Sequence, residues 1–83
     1  MAIDNSQLRS LTAREIISAL IRDRFFLCAQ VGSHQRYRHP DGRRVPVSFH
    51  HPRDTFPFKP LKSMIEDQAR WPKANLRRLG LLT

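Results

Sequence analysis

The sequence predicts an α+β domain in the order α-β-β-β-α, a three-stranded antiparallel sheet with helices on one face. Three observations predict it. Thr12-Ala13-Arg14-Glu15 has the form of a capping box and is followed by apolar residues at helical spacing. Between Phe25 and Phe49 three short segments alternate apolar and polar residues, parted by Gly32-Ser33 and by Pro40-Asp41-Gly42. After Pro60, a second amphipathic stretch closes the pattern.

Residues 1–10 are polar and aperiodic and read as a loose arm. Thr12 is the expected N-cap of a first helix reaching about Asp23, with Ile16, Ile17, Leu20 and Ile21 on its apolar face. Phe25 to Val31 is the first expected strand. Strict alternation puts Phe25, Leu27, Ala29 and Val31 on one face and Phe26, Cys28 and Gln30 on the other. His34 to His39 is the second, with His34, Arg36 and Arg38 pointing one way and Gln35, Tyr37 and His39 the other. Asp41-Gly42 suits a tight turn that needs positive φ. Arg44 to Phe49 is the third strand, with Val45, Val47 and Phe49 on its apolar face. Pro46 has no N–H to give a ladder, so this strand belongs at a sheet edge. Leu61, Met64, Ile65 and Ala69 mark a second helix ending near Arg70. Residues 71–83 form a basic tail that can carry a short helix with Leu76 and Leu79 on one side.

Charge narrows the partners. Fifteen Lys and Arg against seven Asp and Glu leave +8, and the pI is about 11.3. Such a field attracts polyanions. Twelve of the fifteen are Arg, whose planar fork binds phosphate bidentately and stacks on bases. From Gly32 to Arg53 stand five Arg and all four His against one acid, Asp41. The longest apolar run, Phe25 to Ala29, falls far short of the ~20 residues that span a bilayer. Met1 to Asn5 lacks the basic start of a signal peptide. One cysteine, Cys28, allows no intrachain disulfide, which fits a reducing, cytoplasmic setting.

The chemistry concentrates at Gly32-Ser33-His34-Gln35-Arg36-Tyr37. Imidazole changes charge near neutral pH, which suits it to proton transfer. Alternation then gives the sheet face opposite the core His34, Arg36, Arg38, Arg44 and Ser48, with His50 at its end. Cleaving RNA needs a base for the 2′-hydroxyl proton, cations for the charged phosphorane, and an acid for the leaving 5′-oxygen. His34 is the candidate acid or base, and Arg36, Arg38, Arg43 and Arg44 are the candidate RNA-binding residues. His51 is the first candidate for a helper. Tyr37 lies on the apolar side and reads as packing, as do Cys28 and Trp71. Ser33 reads as a turn residue, because no Ser-His-acid spacing accompanies it. No cysteine pair or carboxylate cluster completes a metal site, and no cofactor is expected.

This pattern resembles the HicA-type toxins of bacterial toxin–antitoxin systems. The matching residues are Arg14-Glu15-Ile16-Ile17, then Gly32-Ser33-His34 with Tyr37, then the valine-rich strand leading to His51-Pro52, and Leu61-Lys62-Ser63-Met64-Ile65. The resemblance covers about residues 11–70. It implies a fold like that of a double-stranded-RNA-binding domain. It also implies a type II toxin, a metal-independent endoribonuclease that cleaves messenger RNA. The family's catalytic histidine falls at His34, and a cognate HicB-type antitoxin is the implied protein partner. Two other readings share the charge: a non-catalytic RNA-binding module, and a basic subunit that meets an acidic protein.

Overall fold

The computed structural model describes residues 10–81. The elements are α1 (Ala13–Arg22), β1 (Phe26–Val31), β2 (His34–Arg38), β3 (Arg44–Ser48), α2 (Phe58–Ser63), a π-helical turn (Met64–Gln68) and α3 (Lys73–Arg78). This is the expected α+β order with an open antiparallel sheet, β1-β2-β3. The arm expected at residues 1–10 lies outside the described residues except for Ser10, as do residues 82 and 83 of the tail. Among the described residues no helix is long and apolar enough to cross a membrane.

The first helix starts where its sequence says. Thr12 Oγ1 accepts from the Glu15 N–H at 3.2 Å, and the Thr12 N–H donates to Glu15 Oε1 at 3.0 Å. Two further first-turn donors are met from the loop after β3: Ala13 N–H donates to Asp54 O at 2.8 Å and Arg14 N–H to Pro52 O at 3.0 Å. That loop is thereby pinned to the start of α1.

The strands are joined by two different turns. Gly32 and Ser33 form a two-residue link between the paired Val31 and His34, and Gly32 has φ +58°. Glycine at the first central position is what a type II′ hairpin turn requires. The β2–β3 link is longer. His39 N–H donates to Arg43 O at 2.9 Å, closing a loop over Pro40, Asp41 and Gly42 in which Gly42 alone has positive φ, at +99°.

The sheet buries one face. Tyr37, Val45 and Val47 pack with Leu11, Ile16, Leu20, Leu61, Ile65 and Ala69 into one core. Trp71, Leu76, Leu79 and Leu81 join it from the segment after the second helix. Pro46 lies on β3, an edge strand, as its missing N–H demands.

Two elements depart from simple periodicity. The β1–β2 register slips between Leu27 and Ala29, so Leu27 pairs with Tyr37 but Ala29 pairs with Arg36 and Val31 with His34. Cys28 is the extra residue of a β-bulge. Leu27 therefore shares the face of Tyr37 but stays 46% exposed, outside the core, while Ala29 and Val31 turn to the opposite face, against the expected alternation. Cys28 is exposed rather than packed, because a bulge residue leaves the pleat. The second helix starts earlier than Pro60, at Phe58, and its last turn is π-helical, with Ala69 N–H donating to Met64 O at 2.8 Å. The wider turn brings Met64, Ile65 and Ala69 into the core together.

Asp23, the C-cap of α1, ties three parts of the chain. Its carboxylate accepts from Trp71 Nε1 at 2.6 Å and from Arg78 Nη2 at 3.2 Å, and it lies 3.5 Å from Arg43 Nη2. Asp23→Ala leaves a buried indole N–H and a largely buried guanidinium short of an acceptor. The expected cost is about 3 kcal/mol, read as a lower denaturant midpoint. Asp41 supports the hairpin loop differently. The Arg43 backbone N–H, then its guanidinium, holds the Asp41 carboxyl below the usual carboxylate range. A depressed folded pKa stabilises above the unfolded value of about 3.9 and is lost as pH falls through the folded value. Asp41→Asn should therefore melt lower than the native chain at pH 7, and the gap should close in acid.

Candidate active site

The uncovered face of the sheet is built in rungs. Directly paired residues share a face, so the pairing places Val31, His34 and Ser48 on one rung, Ala29, Arg36 and Pro46 on the next, and Phe26, Arg38 and Arg44 on the third. His34 stands at one end, immediately after the Gly32-Ser33 turn. Its Nδ1 lies 2.7 Å from Ser48 Oγ. That contact occupies Nδ1, and His34 is an exposed residue with no hydrogen bond at Nε2 among the described residues. A hydroxyl both donates and accepts, so the contact survives either tautomer.

The arginines follow from the same alternation. Arg36 is flanked by Ala29 and Pro46, two short side chains. Arg38 stands directly opposite Arg44, and both are exposed. Like charges directly across a ladder destabilise it. Among the described residues the side chains of Arg36, Arg38 and Arg44 take part in no ion pair and no hydrogen bond. A strip of unopposed cations therefore runs from the Arg38–Arg44 rung toward His34.

Arg43 goes elsewhere. Its Nε donates to Asp41 Oδ2 at 2.8 Å, its Nη1 donates to Ala69 O at 2.6 Å, and its guanidinium carbon sits 5.0 Å over the Phe25 ring. This side chain is 16% exposed and clamps the hairpin loop to the end of the π-helical turn. Its charge is spent inside the fold, so it is not brought to the strip. His39 is also occupied, edge-on to Phe25 with ring centres 5.0 Å apart.

His51 sits in the loop pinned to α1. Its Nδ1 accepts from the Arg53 N–H at 3.1 Å, and its own N–H donates to Asp54 Oδ2 at 3.0 Å. Phe49 N–H donates to Ser33 O at 3.1 Å, which holds the chain leaving β3 against the turn that precedes His34. With Nδ1 accepting, the neutral ring carries its proton on Nε2, so His51 presents a donor outward. Tyr37 is buried, 4% exposed, and its hydroxyl donates to Gln35 Oε1 at 2.8 Å. Burial pushes its phenol above the usual value. Among the described residues no group of three or more His, Cys, Asp or Glu is arranged to hold a metal ion.

A family model for the HicA toxin of bacterial toxin–antitoxin systems matches residues 13–70. The chain belongs to the HicA toxin family. No curated protein matches it. The match opens on the first residue of α1 and closes at Arg70, beyond the π-helical turn. It takes in every rung of the uncovered face. Membership in a HicA toxin family implies an antitoxin partner.

The residues that alternation missed are instructive. Ser48 was placeable on the face, but its contact with His34 needs the register. Ala29 and Val31 reach the face only through the bulge, and a bulge at Cys28 has no sequence signal. Arg43 and Arg44 are adjacent and alike, so the test of their difference is direct. Arg36→Ala, Arg38→Ala and Arg44→Ala should each leave stability within about 0.5 kcal/mol while weakening binding to a polyanion. Arg43→Ala should instead cost about 2 kcal/mol of stability and leave polyanion binding by the folded protein near native. Denaturation and salt-dependent binding read the two effects.

Proposed function

We propose that this protein is a metal-independent endoribonuclease toxin that cleaves messenger RNA with His34, and that a HicB-type antitoxin neutralises it. The observation that carries the reading is the company His34 keeps. A ring nitrogen open to solvent stands at the end of a strip of unopposed arginines, including two that face each other across the ladder. That pairing costs stability in the free protein, and a bound phosphate chain would offset it.

The chemistry needs little else. RNA brings its own nucleophile. With Nδ1–H donating to Ser48, Nε2 of His34 takes the 2′-hydroxyl proton as the 2′-oxygen bonds to phosphorus. The bond to the 5′-oxygen breaks, leaving a 2′,3′-cyclic phosphate; the departing oxygen takes a proton from solvent water, and His34 then returns its own proton to solvent. Arg36 lies next along β2 on the same face, and its fork would grip the phosphate. Ser48 positions the ring and does not react. His51, with its outward Nε2–H, suits a hydrogen bond to phosphate better than the role of base.

Positioned proton transfer contributes roughly 10²–10⁴-fold. Purified His34→Ala should lose activity by that factor on a messenger RNA substrate in the presence of a chelator. Ser48→Ala should lose only about tenfold or less, the worth of one hydrogen bond of ~1 kcal/mol. Expression of the native chain without antitoxin should arrest growth, and His34→Ala should not. Equal cleavage by native and His34→Ala protein would leave a binding module in place of an enzyme. Loss of cleavage on adding the chelator would remove the metal-independent mechanism.

A further inference from the structure

We infer that the depression around Ala29, Arg36 and Pro46 is a subsite for one unpaired nucleobase, so that this face takes RNA as a single strand. The inference rests on the proposed RNA substrate and adds how that substrate is held. The depression has a volume of about 410 Å³, within the range of sites that take small aromatic ligands. Ala29, Pro46 and Cys28 supply short, largely apolar lining, and Arg36, Arg38 and Arg44 supply the charge around it.

The placement follows from the bulge. Were the ladder to run on unshifted from Leu27, Cys28 would pair with Arg36 and Ala29 would turn to the core side opposite Gln35. The bulge instead sets Ala29 beside Arg36, with Pro46 on its other side. A long side chain at either flank would fill the space over the guanidinium. Two short ones leave it open, and a guanidinium plane is a stacking surface for a base. Phe26, 48% exposed, adds an aromatic ring on the next rung beside Arg38. Arg36 follows His34 by two residues, about 7 Å along a strand. A base seated there belongs to a nucleotide next to the phosphate at His34.

Duplex RNA offers no base to such a depression. Its recognition runs through backbone shape and 2′-hydroxyls, whereas sheet faces that read single strands do so by stacking. An acidic protein strand is the other occupant that the charge would accept, and it makes no use of a flat, base-sized space.

The test uses 2′-O-methyl oligonucleotides, which lack the nucleophile, so binding is read whether or not His34 is catalytic. Affinity is measured for a single strand, for the same strand fully paired, and for a series carrying one abasic position. The full-length protein is compared with Ala29→Leu, which fills the depression, and Ala29→Ser, which does not. Ala29 is exposed on an edge strand, and melting curves report whether each variant is folded. The expected result is tighter binding of the single strand than of the duplex. Ala29→Leu should weaken the single strand roughly 5- to 150-fold, the worth of one stacked base, with Ala29→Ser near native. One abasic position should weaken native binding and add nothing in Ala29→Leu. Equal affinity for strand and duplex would overturn the subsite, as would Ala29→Leu binding the single strand like the native chain. Loss of antitoxin binding by Ala29→Leu, with RNA binding intact, would assign the depression to the protein partner. None of these outcomes bears on whether His34→Ala abolishes cleavage.

Discussion

Two paired strands that bury one face, as β2 and β3 do, have no freedom of register. Tyr37, Val45 and Val47 must face Ile16, Leu20 and Ile65, so every second residue between them must face away. That constraint alone carries His34, Arg36, Arg38, Arg44 and Ser48 to one surface. A slip of one residue in β2 would drive Arg36 and Arg38 into the core, at a cost far above anything the ladder returns. Hydrophobic packing on one side therefore determines the arrangement of charge on the other. The imidazole, its hydroxyl partner and the cationic strip are consequences of where the apolar residues had to go.

The division of labour among the arginines shows how local this is. Arg43 and Arg44 are neighbours of identical chemistry. Arg43 leaves the hairpin loop toward Phe25, Ala69 and Asp23, where its charge is matched and it stabilises the fold. Arg44 begins β3 on the uncovered face, opposite Arg38, where its charge is unmatched. Asp23 completes the first arrangement from the other end, holding Trp71 and Arg78 as well. Among the described residues the acids tie other parts of the fold, and none stands on the uncovered sheet face.

The faces of β2 and β3 were legible because each holds strict alternation with valine or tyrosine inward. The start of α1 was legible because Thr12 and Glu15 form a reciprocal cap that depends on local spacing alone. What escaped has a common cause, which is dependence on residues distant in sequence. The bulge at Cys28 answers to the pairing of β1 with β2 and leaves no mark in Phe26 to Val31. The π-helical turn answers to the need to bury Met64, Ile65 and Ala69 at once. Arg43 read as one of the phosphate ligands because nothing nearby shows that Ala69 and Asp23 wait for it. Ser48 was visible as a face residue, but its 2.7 Å approach to His34 exists only once β2 and β3 are paired.

In the proposed function, the uncovered face of the sheet is the RNA surface. Amide chemical-shift mapping with a 2′-O-methyl single strand tests it most directly. An RNA surface there gives perturbations concentrated at Ala29, Val31, His34, Arg36, Arg38, Arg44 and Ser48, with α1 and α2 little moved. Perturbations concentrated on the exposed sides of α1 and α2, with the β2 and β3 amides unmoved, would contradict it.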